Sequence, residues 1–158
     1  MNMETSNGAN TETHTGAHWR RISPQWLGFG GLIPFIVLAA LTLVGPEGWK
    51  DWVSGGLIAY GAVILSFLGG ITWGLAVTRE RKPDPLYLAS MAPFLAAWVA
   101  LLLPRFPGLL LLMAAFLGSL VNDFLLKQAG LSPGWFFSLR VTLTAIVVAC
   151  LAVAAFGI

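Results

Sequence analysis

Groups able to hold a metal or attack a substrate are scarce in this chain. It has one cysteine, Cys150, and two histidines, His14 and His18, both before the first long apolar run. One cysteine cannot form an intrachain disulfide or a thiolate metal site, and inside an apolar run it reads as a small hydrophobe. With both histidines in a polar leader, no haem or metal centre can be assembled within the apolar body, and no Ser-His or Cys-His nucleophile either. Charge is sparse as well: only 10% of residues are Asp, Glu, Lys or Arg. The sequence pI near 9.0 rests on a net charge of +2, with nine scattered basic residues, so a nucleic-acid partner is excluded. Only one carboxylate, Asp123, falls well inside an apolar segment, which removes paired-carboxylate hydrolysis. Gly28-Phe29-Gly30-Gly31 opens an apolar helix and does not follow a strand, so it is not a dinucleotide loop. No cofactor and no metal are expected.

What the chain does have is apolar length. Of its 158 residues 57% are apolar, and the mean hydropathy is +0.79, more than a soluble domain can hide. A hydrocarbon core about 30 Å thick needs roughly 20 apolar residues per helix, and five segments meet that requirement. They are 26–44, 53–78, 86–103, 107–126 and 137–157, separated by turn signals at Gly45-Pro46, in the charged stretch 79–85, at Pro104 to Pro107, and between Gly130 and Gly134. The expectation is an all-α polytopic membrane protein with five transmembrane helices. Residues 1–23, polar and ending in Arg20-Arg21, are expected to be a disordered tail, and 24–158 the membrane domain. The first span is read as retained, with no small-residue cleavage site after it. Trp26, Trp49, Trp52 and Trp135 fall near span ends, where amphipathic rings anchor at the interface.

Lys and Arg resist translocation, so their distribution sets the orientation. Arg20, Arg21, Arg79, Arg81, Lys82, Lys127 and Arg140 lie on the N-terminal side, against Lys50 and Arg105 on the other. The N-terminus is therefore expected inside and the C-terminus outside. Two short matches hint at a duplicated hairpin: Pro34-Phe35 with Pro93-Phe94, and Phe67-Leu68-Gly69 with Phe116-Leu117-Gly118. Chance matches among Leu-, Phe- and Gly-rich spans give the same pattern. Each proline removes a backbone hydrogen bond, which should free the carbonyls of Gly30 and Ala89 and kink both helices.

The residues that could carry chemistry converge on one layer. Asp123, late in the fourth span, and Arg140, early in the fifth, fall about 6–8 Å inside the same end at 1.5 Å per residue. A buried charge is costly in the membrane, so the two are expected to neutralise each other. Asn122, Thr72, Trp73 and Trp135 share that depth, which makes the layer the candidate polar site, with a purely structural ion pair as the alternative. Ala62, Ser66, Gly70 and Gly74 put four small residues on one helix face, suited to packing within the bundle or to a dimer contact.

The stretch Gly31-Leu32-Ile33-Pro34-Phe35, with Tyr60-Gly61-Ala62, Ser66-Phe67-Leu68-Gly69-Gly70 and Trp73-Gly74, resembles a known family. It is similar to the small five-span bacterial proteins of domain of unknown function 3429, a family that includes the mitochondrial transmembrane protein 69. Ala97-Trp98 through Leu103-Pro104, Asp123, Trp135-Phe136, Leu139-Arg140 and Leu143-Thr144 extend the resemblance from Trp26 to Ala149. It implies a bacterial or mitochondrial inner membrane and no particular activity. Glu4 and Glu12, out of place in an acid-poor presequence, favour the bacterial inner membrane. Three functions compete. The chain could be a bundle that binds or moves an amphiphilic or anionic small molecule, with Arg140 as anion partner and Trp73 and Trp135 as walls. It could be an accessory subunit of a larger membrane complex or a homo-oligomer. Third comes an enzyme using Asp123 as base, for which an arginine-paired carboxylate is poorly suited.

Overall fold

The computed structural model describes residues 24–77, 85–128, 130 and 132–157; the expected tail, and the basic loop residues Arg79, Arg81 and Lys82, lie outside these. Helix α1 spans Pro24–Gly30 and α2 Ile33–Val44, together forming one broken span. After a 3-10 turn, α3 runs Lys50–Val77, α4 Pro85–Leu102, α5 Arg105–Gln128 and α6 Gly134–Phe156. Among the described residues there is no strand. Four spans, Gln25–Val44, Glu47–Val77, Arg105–Gln128 and Gly134–Phe156, have the length and apolarity to cross a membrane. The 18 residues of α4 reach about 27 Å at 1.5 Å each, enough for a fifth crossing.

The helices form a closed ring in chain order. Each of α2 to α5 packs on its successor, α6 closes the ring on α2, and α3 and α5 also meet across the centre. The interior is apolar: Phe35, Leu57, Leu65, Leu109, Leu112, Phe116 and Leu151 are almost wholly buried. Phe35 is its aromatic hub, edge-on to Tyr60 at 5.0 Å and to Phe116 at 6.1 Å between centroids. Large apolar side chains such as Trp26, Phe67, Leu88, Trp98 and Leu117 are exposed around the outside. In a soluble protein such a surface would drive aggregation; in a bilayer it is the solvated face.

The two prolines act differently. Pro34 lies in the first turn of α2, and the helix is interrupted at Gly31-Leu32, so the expected kink is a break between α1 and α2. Pro93 stays inside an uninterrupted α4. In both places a polar side chain from the following helix serves the disturbed backbone. The Tyr60 hydroxyl donates to the Gly31 carbonyl at 3.0 Å, and Asn122 Nδ2 donates to the Ala89 carbonyl, which Pro93 leaves without its helical donor, at 3.1 Å.

Close packing of α4 rests on glycines outside the expected stripe. A Cβ on Gly69 would lie 2.8 Å from the Ser90 carbonyl oxygen, and one on Gly108 would lie 2.8 Å from that of Ala100. Ala62 is buried and Ser66 donates back to its carbonyl, but a Cβ on Gly70 or Gly74 meets nothing within 4 Å. Gly70 and Gly74 therefore do not mediate packing within the bundle. The helix face that packs is turned by one residue, from Gly70 to Gly69.

Candidate functional site

Asp123 and Arg140 face each other across the α5–α6 contact. Arg140 Nε donates to Asp123 Oδ2 at 2.8 Å, and both residues are buried, 6% and 7% exposed. Arg140 Nη2 also reaches Ser119 Oγ at 3.4 Å, a long contact, while Ser119 itself donates to the Phe116 carbonyl. Ser119 stands one turn before Asp123 on α5, so all three lie on touching faces. From the ends of α5 and α6, Asp123 is five residues in and Arg140 six, about 8 and 9 Å. At that depth a lone guanidinium is expensive, and the carboxylate offsets the cost.

Beside the pair lies a cavity of about 460 Å³ between α1–α2, α3 and α6, with Phe35 and Phe116 at its inner end. Its walls are nearly all apolar: Leu27 and Leu32 on one side, Ile64, Phe67, Leu68 and Ile71 on α3, Phe136, Leu139, Leu143 and Val147 on α6. Among the described residues Arg140 is the one ionisable residue in the lining, and Thr144, one turn further along α6, is the one residue with a hydroxyl. The Thr144 Oγ1 has no hydrogen-bond partner among the described residues, but it is fully buried and does not open onto the cavity. Of the five guanidinium N–H groups of Arg140, Asp123 and Ser119 engage two. The wall thus holds unused donors in an otherwise oily space, the composition of a site for an amphiphile. Leu27 and Phe67, exposed at the rim, place the mouth between α1 and α3 on the outward face. There α1 leans away from α3 onto α6, where a Cβ on Gly28 would touch Leu143 at 3.1 Å.

The structure does not bring the whole expected layer to this cavity. Trp135 lines it, half-exposed at the mouth. Trp73 does not: it lies in a separate shallow recess with Ser66, Gly69, Gly70 and Phe94 on the other side of α3. Trp73 therefore cannot be a wall for a molecule held by Arg140. Thr72 is buried and bonded to the Leu68 carbonyl of its own helix, and Asn122 is turned to α4. Ser119 and Thr144 were missed by sequence reasoning, although their four-residue spacing from Asp123 and Arg140 marks both. Lys127, one turn beyond Asp123, sits over the Phe137 ring at 4.9 Å from its centroid, outside the cavity.

Residues 21–156 match the family model of a protein of unknown function, DUF3429. The chain is 40% identical over 129 residues to transmembrane protein 69 of Xenopus tropicalis, covering 78% of this chain and 49% of that protein. To transmembrane protein 69 of Mus musculus it is 34% identical over 125 residues, 75% of this chain and 49% of the relative. The chain thus spans about half the length of the curated relatives it matches. No solved structure matches it.

Proposed function

This chain belongs to the DUF3429 family of membrane proteins, and from the geometry of its cavity we propose that it binds an amphiphilic small molecule taken up from the bilayer. The observation that carries this reading is the pairing of an apolar cavity of about 460 Å³ with one buried group, Arg140, that retains unused donors on its wall. That volume falls within the roughly 300–1,000 Å³ of typical small-molecule sites. The ion pair holds the guanidinium in one orientation, so its free N–H groups are fixed before the ligand arrives, which lowers the entropic cost of binding. Purification in mild detergent with mass spectrometry of co-purifying molecules tests the reading. The wild type should carry a bound amphiphile, and Arg140→Gln should lose it while remaining folded. A wild type free of any such molecule, and inert to added amphiphiles, would refute it.

We also propose an N-terminus inside and a C-terminus outside, in a bacterial inner membrane. The seven-to-two distribution of basic residues supports it. Both basic residues at the outer end are also offset by acidic partners, Lys50 by Glu47 at 2.7 Å and Arg105 by Asp51 at 2.9 Å. A second reading, an accessory subunit of a larger membrane complex, draws on the open space beside Gly70 and Gly74. It predicts co-purifying protein that Gly70→Leu displaces without unfolding the bundle.

A further inference from the structure

We infer that the molecule held in the α1–α3–α6 cavity carries an uncharged carbonyl head on a long apolar chain, and not an ionised carboxylate, phosphate or sulfonate. This rests on the binding reading above and adds the class of ligand. The argument is one of charge balance. Among the described residues Arg140 is the one ionisable residue lining the cavity, and its charge is already matched by Asp123 at 2.8 Å. An anionic head would leave the buried cluster with a net negative charge in a low-dielectric wall, where unmatched charge is heavily penalised. Lys127, the nearest further cation on α5, is engaged with the Phe137 ring and does not line the cavity.

Hydrogen bonding is a different matter, because a matched charge still leaves donors to satisfy. The N–H groups of Arg140 that neither Asp123 nor Ser119 takes offer donors to one acceptor in the cavity. A carbonyl oxygen is an acceptor with two lone pairs and no charge, so it can take these donors without disturbing the Arg140–Asp123 balance. The chain behind it would run along Leu139, Leu143 and Ile71 and leave by the rim at Phe67 into lipid. Either an acyl ester, as in a glycerolipid, or a ring ketone, as in an alkylated quinone, supplies this chemistry.

The test uses the whole purified protein in detergent and probes of one chain length: methyl myristate, tetradecyl sulfonate, tetradecane and a tetradecyl benzoquinone. Binding is read by native mass spectrometry and by competition between probes. The ester or the quinone should bind about tenfold more tightly than the alkane, the worth of one net hydrogen bond, and more tightly than the sulfonate, whose charge the cavity leaves unmatched. Whichever of the two binds more tightly assigns the natural source. Asp123→Leu combined with Arg140→Met, which removes the donors and leaves no unpaired charge, should erase most of the preference for carbonyl over alkane, with its unfolding midpoint reported. A sulfonate that binds as well as the ester, or a carbonyl preference untouched by the joint replacement in a folded protein, overturns the inference while leaving amphiphile binding intact. Failure of all four probes to bind overturns the binding reading itself.

Discussion

Replacing Asp123 by Asn removes one charge from a pair in which both members are more than nine-tenths buried and 2.8 Å apart. The Asn amide oxygen can still accept from the guanidinium but carries no charge, and the 3.4 Å contact to Ser119 is too long to stand in for a carboxylate. Breaking a buried ion pair from one side costs about 3–5 kcal/mol, and a lone Arg at the bilayer centre costs about 2.5–3.5 kcal/mol on insertion scales. Arg140 sits about 9 Å inside the helix end and can partly snorkel, so about 3 kcal/mol is expected for Asp123→Asn. Arg140→Gln should also destabilise, because it leaves the buried Asp123 carboxylate without its charge partner. The joint replacement Asp123→Leu with Arg140→Met removes both charges and should fall within about 1 kcal/mol of the wild type, far from the sum of the single losses. Equilibrium unfolding in mixed micelles, followed by circular dichroism, measures all four. Single losses under about 0.5 kcal/mol, or a double loss equal to their sum, would show that the pair is not the buried, coupled unit described.

Other perturbations read separate parts of the bundle. Gly69→Ala should destabilise by about 1–3 kcal/mol, since its Cβ would lie 2.8 Å from a backbone oxygen of α4, whereas Gly70→Ala, facing open space, should be neutral or slightly stabilising; a thermal melt of each checks the contrast. Asn122→Leu leaves the Ala89 carbonyl without the donor that serves it at Pro93, and Tyr60→Phe does the same to Gly31; each should cost about 1 kcal/mol by the same assay. Single cysteines introduced near Lys127 and near Arg105 should react with a membrane-impermeant thiol reagent from opposite faces, Lys127 from the cytoplasmic one. Labelling in the reverse sense would invert the proposed topology.

The helical membrane character was readable because bilayer thickness forces long apolar runs, and turn residues such as Gly45-Pro46 and Pro104 punctuate them. That Asp123 and Arg140 share a depth was also legible, as depth follows from residue counting. Their meeting was not, because it depends on how α5 and α6 rotate about their own axes. The same rotation explains the shift from Gly70 to Gly69: the two neighbours on α3 are about 100° apart, and only packing against α4 decides which faces inward. It also explains why Trp73 lies on the far side of α3 from Arg140 although the two share a layer. The cavity had no sequence signal at all. It arises where α1, broken from α2 at Gly31-Leu32, leans onto α6 and leaves a gap beside α3.

The central claim, that this cavity receives an amphiphile from the bilayer, is tested most directly by photolabelling the protein in lipid with a long-chain ester bearing an aliphatic diazirine and mapping the adducts. Labels concentrated on Leu139, Leu143 and Ile71, and lost in the presence of excess unlabelled ester, are the predicted result. Labels spread evenly over outward residues such as Leu88, Trp98 and Leu117, and indifferent to competitor, would contradict it.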